Sequence, residues 1–310
     1  MNRQKPSRSR LLQGGLLAAC LALVLLTYEA SPPPVTKTAT KTVIKTVAQP
    51  INPVSERESS SAVRFETHEA DGATVYMLAI SQPYLVSVAV SDGLQTVETF
   101  SEQTNAFAIL NAGFFDPQNA QTTSHVVIEG EAVADPAENE RLVGNLDLAP
   151  YLSQIFNRSE FRRYDCAGEP RYDITPHEAP APENCTLVEA VGAGPQLLPE
   201  NTAYVEGFTD YADGALIRDA IGSESRNART AVGIKADGSV VWFMVAQNPG
   251  AGMTLAELAQ FMRQRGVVKG LNLDGGSSAS MVFNGTAYYG KFDSDGNPVQ
   301  RPVKSVLTVD

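Results

Sequence analysis

The sequence predicts a single α+β domain with a mixed β-sheet and few helices, preceded by an N-terminal membrane segment and a disordered linker. Short runs of alternating apolar and polar residues, which are typical of strands, dominate the chain after residue 61. The 310 residues, 43% of them hydrophobic and 19% charged, are enough for one large core. We therefore divide the chain into an anchor segment, residues 1–30, a linker, residues 31–60, and a folded domain, residues 61–310.

The first 60 residues differ in composition from the rest. Four basic residues precede the largely apolar residues 11–26, which is the layout of an export signal. We expect an exported protein that is membrane-anchored and faces the periplasm or the cell exterior. The apolar stretch is short for a membrane span, and a cleaved signal or a lipid on Cys20 are the alternatives. Residues 31–60 contain 14 Ser, Thr or Pro residues and predict an extended linker, in which residues 42–47 are compatible with an edge strand.

Charge and composition exclude several classes of function. Residues 61–310 contain 16 basic and 32 acidic residues, and such an acidic body repels the phosphates of nucleic acids. Three His and three Cys are too few for a metal site of the zinc-finger type. We predict no cofactor and no metal, and leave open an oxygen-ligated divalent ion at Asp274. Cys166 and Cys185 are the cysteines of the exported part, and their even number predicts a disulfide over two free thiols.

Local signals place the elements of the C-terminal part of the domain. Asp237-Gly238 favours a hairpin turn, because Gly adopts a positive φ without steric cost. Thr254 and Glu257 match a helix capping box, and apolar residues recur on one face until Gly266. The C-terminal segment is therefore predicted as β-β-α-β-β. The predicted strands cover residues 74–79, 85–90, 107–110, 230–234, 240–245, 270–273 and 279–283.

The strongest candidate for chemistry is Asp274, at the end of a short apolar strand. Gly275 and Gly276 follow it, and glycines let the backbone approach a ligand closely and aim N–H groups at an anion. The alternative is a tight turn in which Asp274 only caps the loop.

A second group of candidates has the chemistry of a sugar phosphate site. Asn111 ends an apolar strand and is followed by two adjacent phenylalanines, the second of which is Phe115, and by Asp116. An amide can bind sugar hydroxyls, and a ring can cover the C–H face of a sugar, although adjacent phenylalanines are also typical of a core. Arg229 and Arg301 can each hold a phosphate through two parallel hydrogen bonds, although lone arginines are often solvated or salt-bridged.

Other motifs do not indicate a site. Residues 191–198 form a Gly-rich turn without a following helix, so they are not a nucleotide-binding loop. Residues 293–297 superficially resemble a calcium loop, but the Gly is misplaced and the Glu at the twelfth position is missing, so we predict a turn. Ser277 and Ser278 lack the nucleophile-elbow pattern, and a serine hydrolase is not predicted.

Taken in order, the motifs resemble the phosphodiester glycosidase family from about residue 100 to residue 310. Each motif alone is weak, whereas the ordered set is specific. The motifs are Asn111-Ala112-Gly113-Phe114-Phe115, Gly192-Ala193-Gly194-Pro195-Gln196-Leu197-Leu198, Arg229-Thr230-Ala231-Val232-Gly233, Gly252-Met253-Thr254-Leu255, Asn272-Leu273-Asp274-Gly275-Gly276 and Arg301-Pro302-Val303.

Three departures from the family's pattern affect the expected substrate more than the expected fold. Ser277 stands where the family usually has a third Gly. Ala246-Gln247-Asn248 replaces a more polar segment after the hairpin strand, and Ser124-His125 replaces a Gly-containing segment.

The resemblance implies a hydrolase that cleaves the bond between the anomeric carbon of a sugar and a phosphodiester oxygen. Free sugar and a phosphomonoester are released, and residues 61–310 are the catalytic domain. The expected partners are a carbohydrate or phosphoglycan substrate and a membrane, and not a nucleic acid. The implied catalytic residues are Asp274, Asn111 and Arg229, and the implied substrate-binding residues are Arg301, Asn272, Gly275, Gly276, Phe115 and Asp116.

The runner-up function belongs to another class. The same cleft in a non-catalytic, envelope-tethered module would bind glycan or phosphoglycan, and the departures near Gln247 and Ser277 are compatible with it. Release of reducing sugar distinguishes the two functions, because binding is common to both.

Overall fold

The computed structural model describes residues 62–247 and 251–310. These residues form a mostly β structure with four α-helices, so the predicted α+β class is confirmed. The predicted anchor and linker, with Cys20 and residues 42–47, lie outside the described residues. Among residues 62–247 and 251–310, no helix combines the length and the apolar character needed to span a membrane.

The elements are numbered in chain order. The helices are α1 Val97–Thr104, α2 Glu140–Val143, α3 Leu152–Phe156 and α4 Leu255–Gln264. The first ten strands are β1 Val63–Ala70, β2 Ala73–Ile80, β3 Ser87–Gln95, β4 Ala108–Asn111, β5 Phe115–Asp116, β6 Gln121–Thr122, β7 Val126–Ile128, β8 Glu131–Ala134, β9 Ser159–Cys166 and β10 Glu169–Pro176. The others are β11 Cys185–Gly192, β12 Gln196–Leu198, β13 Thr209–Ala212, β14 Ala215–Asp219, β15 Arg229–Lys235, β16 Val240–Ala246, β17 Val267–Asn272, β18 Ser280–Phe283, β19 Thr286–Tyr289 and β20 Val303–Val309.

The strands of the described residues form three larger sheets and two small ribbons. The first sheet has the order β1-β2-β16-β15-β17-β12, and the second has the order β19-β18-β4-β20-β3. The third has the order β10-β9-β11-β7-β8, and the ribbons are β5-β6 and β13-β14. A mixed sheet was expected from the sequence, and this expectation is wrong, because neighbouring strands pair antiparallel in all three larger sheets of the described residues.

The reason for the difference lies in the β16-α4-β17 connection. A helix between two strands usually produces a parallel pair. Here β15 lies between β16 and β17 and pairs antiparallel with both, so the two strands joined by α4 run in the same direction without being neighbours. The sequence predicts the helix and the three strands, but it does not show that β15 lies between β16 and β17.

The C-terminal segment otherwise follows the prediction. The hairpin turn at Asp237-Gly238 joins β15 to β16, and Gly238 has a φ of 83°. The Thr254 hydroxyl accepts a hydrogen bond from the N–H of Glu257, whose carboxylate accepts from the N–H of Thr254, so the capping box is confirmed. Residues 293–297 form the predicted turn, in which the Asp293 side chain accepts from the N–H groups of Asp295 and Asn297.

The apolar residues of β16 show how the core is divided. The side chains of Trp242 and Met244 point into a central core that is shared by the three sheets. The alternate side chains of Val241 and Phe243 point to the other face of the first sheet, where they pack against α4. Because both faces are covered, the strand is apolar throughout rather than alternating.

A disulfide joins Cys166 and Cys185, as predicted from the cysteine count. The two residues are paired in register across β9 and β11, with their Cα atoms 4.1 Å apart. The bond therefore closes a loop that contains β10, the edge strand of the third sheet, and the segment that follows it.

Candidate active site

The candidate site lies where the first and second sheets meet. β17 of the first sheet and β4 of the second sheet end at this point, and the N–H of Asp274 donates to the carbonyl of Ala112 over 2.9 Å. The N–H of Leu273 donates to the carbonyl of Thr230 over 2.8 Å, which continues the pairing with β15. The backbone of Asp274 is thus fixed from both sheets.

Asn111 at the end of β4 holds this junction from inside. It is fully buried, and its Nδ2 donates to the backbone carbonyl of Asp274 over 2.6 Å. Its Oδ1 accepts from the Thr230 hydroxyl at 2.9 Å and from the N–H of Ser280 at 3.0 Å. Asn111 was expected to bind sugar hydroxyls, but in this geometry its amide orients Asp274 instead.

Asn272 connects the junction to the third sheet. Its Nδ2 donates to the carbonyl of Gly194 over 2.8 Å, and its carbonyl accepts from the N–H of Gly194 at 2.9 Å. Its Oδ1 is buried and has no hydrogen-bond partner among the described residues. A buried amide oxygen without a partner is costly, and because this atom is closed to solvent, a ligand does not reach it without a rearrangement of the residues around it.

The carboxyl of Asp274 is unusual among the acidic groups of the described chain. Burial raises its pKa from the ordinary value of 3.8 to about 6. The Ser278 hydroxyl, the positive charge of Arg301 and the N–H of Gly275 act in the opposite direction and keep the pKa from rising further. The group therefore still ionises near neutral pH, at a desolvation cost that a solvated aspartate does not carry.

The two glycines after Asp274 have different local reasons. A Cβ on Gly275 would lie 2.9 Å from the carbonyl oxygen of Ala228, so only glycine fits against β15 at this point. Gly276 has a φ of 60°, and its N–H donates to the carbonyl of Ala228 over 2.8 Å. The N–H of Gly276 is consequently used within the protein, and the N–H of Gly275 is directed to Asp274.

Arg301 and Phe115 lie together on one side of the junction. The guanidinium carbon of Arg301 is 5.6 Å from the centre of the Phe115 ring, and both residues are half-buried. Arg301 is also the cation whose charge acts on Asp274. The structure thus brings together a carboxylate, a guanidinium and an aromatic ring from three distant parts of the chain.

Arg229 was expected to bind phosphate, but its guanidinium is directed to the protein backbone. Its side chain is buried, and it donates to the backbone carbonyls of Met253, Ile221, Gly222 and Ser225 at 2.5–3.1 Å. Burial lowers the pKa of Arg229 to about 10, against the opposing charge of Asp219. In this arrangement Arg229 fixes the loop of residues 221–225 beside the first strand of the hairpin.

Asp116 is also bound within the protein. Its carboxylate accepts from Nε of Arg141 at 2.7 Å and from the N–H of Gln118 at 2.8 Å, and these hydrogen bonds hold its pKa below the ordinary value despite some desolvation. Among the described residues, no hydrogen bond or ion pair joins Asp116 to Asp274. Within the same part of the chain, no group of three or more His, Cys, Asp or Glu is arranged to hold a metal ion.

Sequence reasoning missed the residues that hold the site together. Thr230 and Ser280 fix the amide of Asn111, and Gly194 receives the amide of Asn272. Thr230 and Gly194 were within recognised motifs, but nothing local in the sequence shows which distant amide they would meet. Ser280 contributes only a backbone N–H to Asn111, and a backbone group leaves no sequence signal.

Comparisons with known proteins show which family this chain resembles. The sequence profile of the phosphodiester glycosidase family matches residues 104–310. The N-acetylglucosamine-1-phosphodiester alpha-N-acetylglucosaminidases of Mus musculus and Homo sapiens are 48% and 44% identical to the chain over 61 residues. These matches span 19% of this chain and only 12% of each relative.

Solved structures show the same fold. The catalytic domain of the zebrafish N-acetylglucosamine-1-phosphodiester alpha-N-acetylglucosaminidase superposes with a TM-score of 0.57 at 18% identity, over 80% of this chain and 81% of that one. A hypothetical protein from Synechocystis superposes with a TM-score of 0.52 at 16% identity, over 80% of this chain and 61% of that one.

Because the family profile covers well over half of the sequence, the chain belongs to the phosphodiester glycosidase family. The family consists of glycosidases that act on phosphodiester-linked sugars. The resemblance inferred from the ordered motifs is thereby confirmed.

Proposed function

We propose that the protein is an extracytoplasmic hydrolase that cleaves the glycosidic bond of a sugar-1-phosphodiester and releases free sugar and a phosphomonoester. The observation that carries the proposal is the half-buried carboxyl of Asp274, whose pKa is raised to about 6 and whose backbone is fixed by both sheets. Such a group is ionised at neutral pH, but its ionised form carries a desolvation cost. A positive charge that develops beside it during the reaction offsets this cost, as expected for a catalytic carboxylate.

Asp274 is the catalytic carboxylate in this proposal. As the bond from the anomeric carbon to the phosphodiester oxygen breaks, positive charge develops on the sugar, and a nearby carboxylate stabilises it or forms a bond to it. The oxygen of a water molecule ends on the anomeric carbon, and the phosphate leaves with the bridging oxygen and one proton. Phosphate is a good leaving group, so a strong general acid is less necessary than for an ordinary glycoside.

Arg301 is the residue that we assign to the scissile phosphate. It is half-buried, carries no ion pair to a carboxylate among the described residues, and acts electrostatically on Asp274. A guanidinium beside the leaving group binds the diester and stabilises the charge that grows on it. Phe115, beside Arg301, supplies an apolar wall for the sugar or the aglycone.

Three buried residues complete the site. Asn111 positions Asp274, and Arg229 positions the loop of residues 221–225, so both act through the protein and not on the substrate. Asn272, whose Nδ2 donates to Gly194 and whose Oδ1 is closed to solvent, acts in the same way and joins the junction to Gly194, rather than binding a sugar hydroxyl as expected from the sequence. N-acetylglucosamine is the first sugar to test, because the relatives in mouse and human are named for its release.

The location of the protein is part of the proposal. The Cys166–Cys185 disulfide favours an oxidising compartment, and the basic and apolar N-terminal residues favour export with a retained anchor. Fractionation of cells, followed by protease treatment of intact cells or spheroplasts, tests both points. Protein that stays in the cytoplasmic fraction and resists protease would contradict this part of the proposal.

The enzymatic proposal is tested by measuring reducing sugar released from a panel of sugar-1-phosphodiesters that includes nucleotide sugars. The wild-type protein is compared with Asp274→Asn and with Asp92→Asn, which removes an exposed carboxylate on β3 and controls for the loss of one charge. We expect kcat to fall at least about a hundredfold in Asp274→Asn and to stay unchanged in the control. Binding of the diesters by folded wild-type protein without any release of sugar would favour the binding module instead.

A further inference from the structure

Two arginine side chains outside the Asp274 junction are held by the same kinds of contact. Arg158 has its guanidinium carbon 3.7 Å from the centre of the Phe208 ring, and Arg218 has its own 4.4 Å from that of Tyr151. Nε of Arg158 donates to the carbonyl of Glu206 over 3.1 Å, and Nε of Arg218 donates to the next carbonyl, that of Gly207, over 3.0 Å. One hydrogen bond and one ring therefore fix each guanidinium.

The outer nitrogens of both guanidiniums have no partner in the part of the chain that the structure describes. Within the described residues, neither Arg158 nor Arg218 forms an ion pair, and the hydrogen bonds they donate come from Nε alone. Both side chains are half-buried, and their outer nitrogens do not belong to the polar atoms that are buried without a partner. Two fixed guanidinium groups with free N–H donors match the geometry of a phosphate or carboxylate.

The nearby carboxylates are already engaged. Glu206 accepts from the Ser159 hydroxyl at 2.8 Å, from the N–H of Gln196 at 3.1 Å and from the hydroxyl of Thr202. Asp210, which lies opposite Arg218 in the β13-β14 ribbon, accepts from the hydroxyl of Tyr151 at 2.7 Å.

The charge of Arg158 is also poorly solvated. Burial lowers the pKa of Arg158 to about 10, the charge of Glu206 opposes this change, and the charge of Arg218 adds to it. Arg158 stays positive at neutral pH, so two cations that repel each other are held side by side. An anion bound between them would relieve both the desolvation and the repulsion.

This pair lies beside the candidate active site. The Phe208 ring under Arg158 packs against Phe114 at 5.7 Å between ring centres. A Cβ on Gly194 would lie 2.7 Å from the same ring, and Gly194 is hydrogen-bonded to Asn272. Phe114 therefore contacts the ring that packs against Arg158, whereas its neighbour Phe115 lies beside Arg301. The segment with Phe114 and Phe115 thus lies between Arg301 on one side and the pair of Arg158 and Arg218 on the other.

We infer that Arg158 and Arg218 form a second anion subsite, which binds an oxyanion group of the substrate other than the scissile phosphate. This inference rests on the proposed function, because it takes Arg301 as the ligand of the scissile phosphate. The protein would then prefer phosphodiesters that carry an additional phosphate or carboxylate, on either the aglycone or the sugar.

The subsite is tested first by binding, without turnover. Binding of inorganic phosphate is measured by calorimetry at low salt on Arg301→Gln protein, in which the first phosphate site is removed. We expect residual phosphate binding that weakens at least tenfold when Arg218→Gln is added. Adding Arg64→Gln instead should leave it unchanged, because Arg64 is an exposed arginine that is paired with Glu66.

Equal phosphate binding with Arg218→Gln and with Arg64→Gln would overturn the inference, as would a lack of residual binding in Arg301→Gln. Arg158→Lys is measured in parallel, because it keeps the charge and loses the planar pair of donors. We expect it to weaken phosphate binding with a circular dichroism spectrum like that of wild type. These binding results stand even if the protein releases no sugar from any diester.

Turnover then identifies where the extra anion is carried. The kcat/KM is compared for three substrates that contain the same sugar. They are the sugar-1-(methyl phosphate), the nucleoside diphosphate ester of the sugar, and the sugar-1-(methyl phosphate) with a second phosphate on the 6-hydroxyl. We expect Arg218→Gln to lower kcat/KM at least tenfold for one of the two substrates that carry an additional anionic group. For the sugar-1-(methyl phosphate), which carries none, we expect a decrease of less than about twofold. A loss on the nucleotide places the anion on the aglycone, and a loss on the 6-phosphate places it on the sugar. Equal effects on all three substrates would overturn the inference.

Discussion

At the scale of single residues, the pKa of Asp274 determines how activity depends on pH. Burial raises this pKa to about 6, and the proposed role requires the ionised form. We expect kcat/KM to rise as the pH increases through about 6 and then to level off. Since the charge of Arg301 lowers the pKa of Asp274, Arg301→Gln should move this limb to higher pH.

The pH profile is measured on one diester at constant ionic strength, with Asp92→Asn as the control for a general change of charge. An acid limb near pH 4 would show that Asp274 titrates as an ordinary carboxyl. A decline of kcat/KM through pH 6 would mean that the protonated form is the active one, which contradicts the role proposed here.

The same group gives a prediction for stability. The pKa of Asp274 is higher in the folded protein than the ordinary 3.8, so the folded state favours the protonated carboxyl. Its favourable contribution is complete below about pH 4 and is lost as the pH rises through about 6. At pH 7.5, Asp274→Asn should therefore raise the free energy of unfolding, by at most about 3 kcal/mol.

Urea denaturation at pH 7.5 and at pH 4 checks this prediction. The gain should become small at the lower pH, because pH 4 is well below the folded-state pKa and close to the ordinary value of 3.8, so little ionisation of the folded wild type remains to be removed. A variant that is less stable than wild type at pH 7.5 would show that the hydrogen bonds of the ionised carboxylate outweigh its desolvation.

At the scale of the elements, the disulfide joins β9 and β11, which are neighbouring strands inside the third sheet. The two cysteines are 19 positions apart, and closing a loop of this size stabilises a fold by about 3 kcal/mol in the chain-entropy model. We expect Cys166→Ser with Cys185→Ser to lower the free energy of unfolding by about that amount. Denaturation with and without a reductant provides the control, because the reductant should destabilise wild type and leave the double variant unchanged.

The elements also show how far local sequence signals reach. The turn at Asp237-Gly238 and the cap at Thr254 depend on neighbours within four residues, and both were predicted correctly. The stacking of His125 on His177, with ring centres 3.5 Å apart, joins residues without a common motif and was not predicted. The free energy of such contacts arises only after the sheets have come together, so nothing local encodes them.

At the scale of the whole molecule, the site exists because three sheets end at the same place. Asn111 comes from the second sheet, Asn272 from the first, and Gly194 follows the third. The ordered motifs predicted several residues that the structure brings to this junction, and Asp274 is at the centre of the candidate site. They did not show that the side chain of Arg229 is directed to a loop, because a guanidinium suits four carbonyls as well as it suits a phosphate.

The overall charge of the molecule acts against its proposed substrate. Residues 61–310 contain 16 basic and 32 acidic residues, so a phosphodiester approaches a body of its own sign. Salt screens this repulsion over a length of about 10 Å at 0.1 M, whereas contacts with a half-buried arginine are screened less. We therefore expect kcat/KM for an anionic diester to increase severalfold between about 0.01 M and 0.1 M sodium chloride.

A neutral aryl glycoside of the same sugar, if it is turned over, should show no such increase, and kcat at saturation should change little for either substrate. A steady decline of kcat/KM with salt would contradict the expectation. It would mean that the positive groups at Arg301, Arg158 and Arg218 already dominate the field that the substrate meets, and that the acidic surface does not slow its approach.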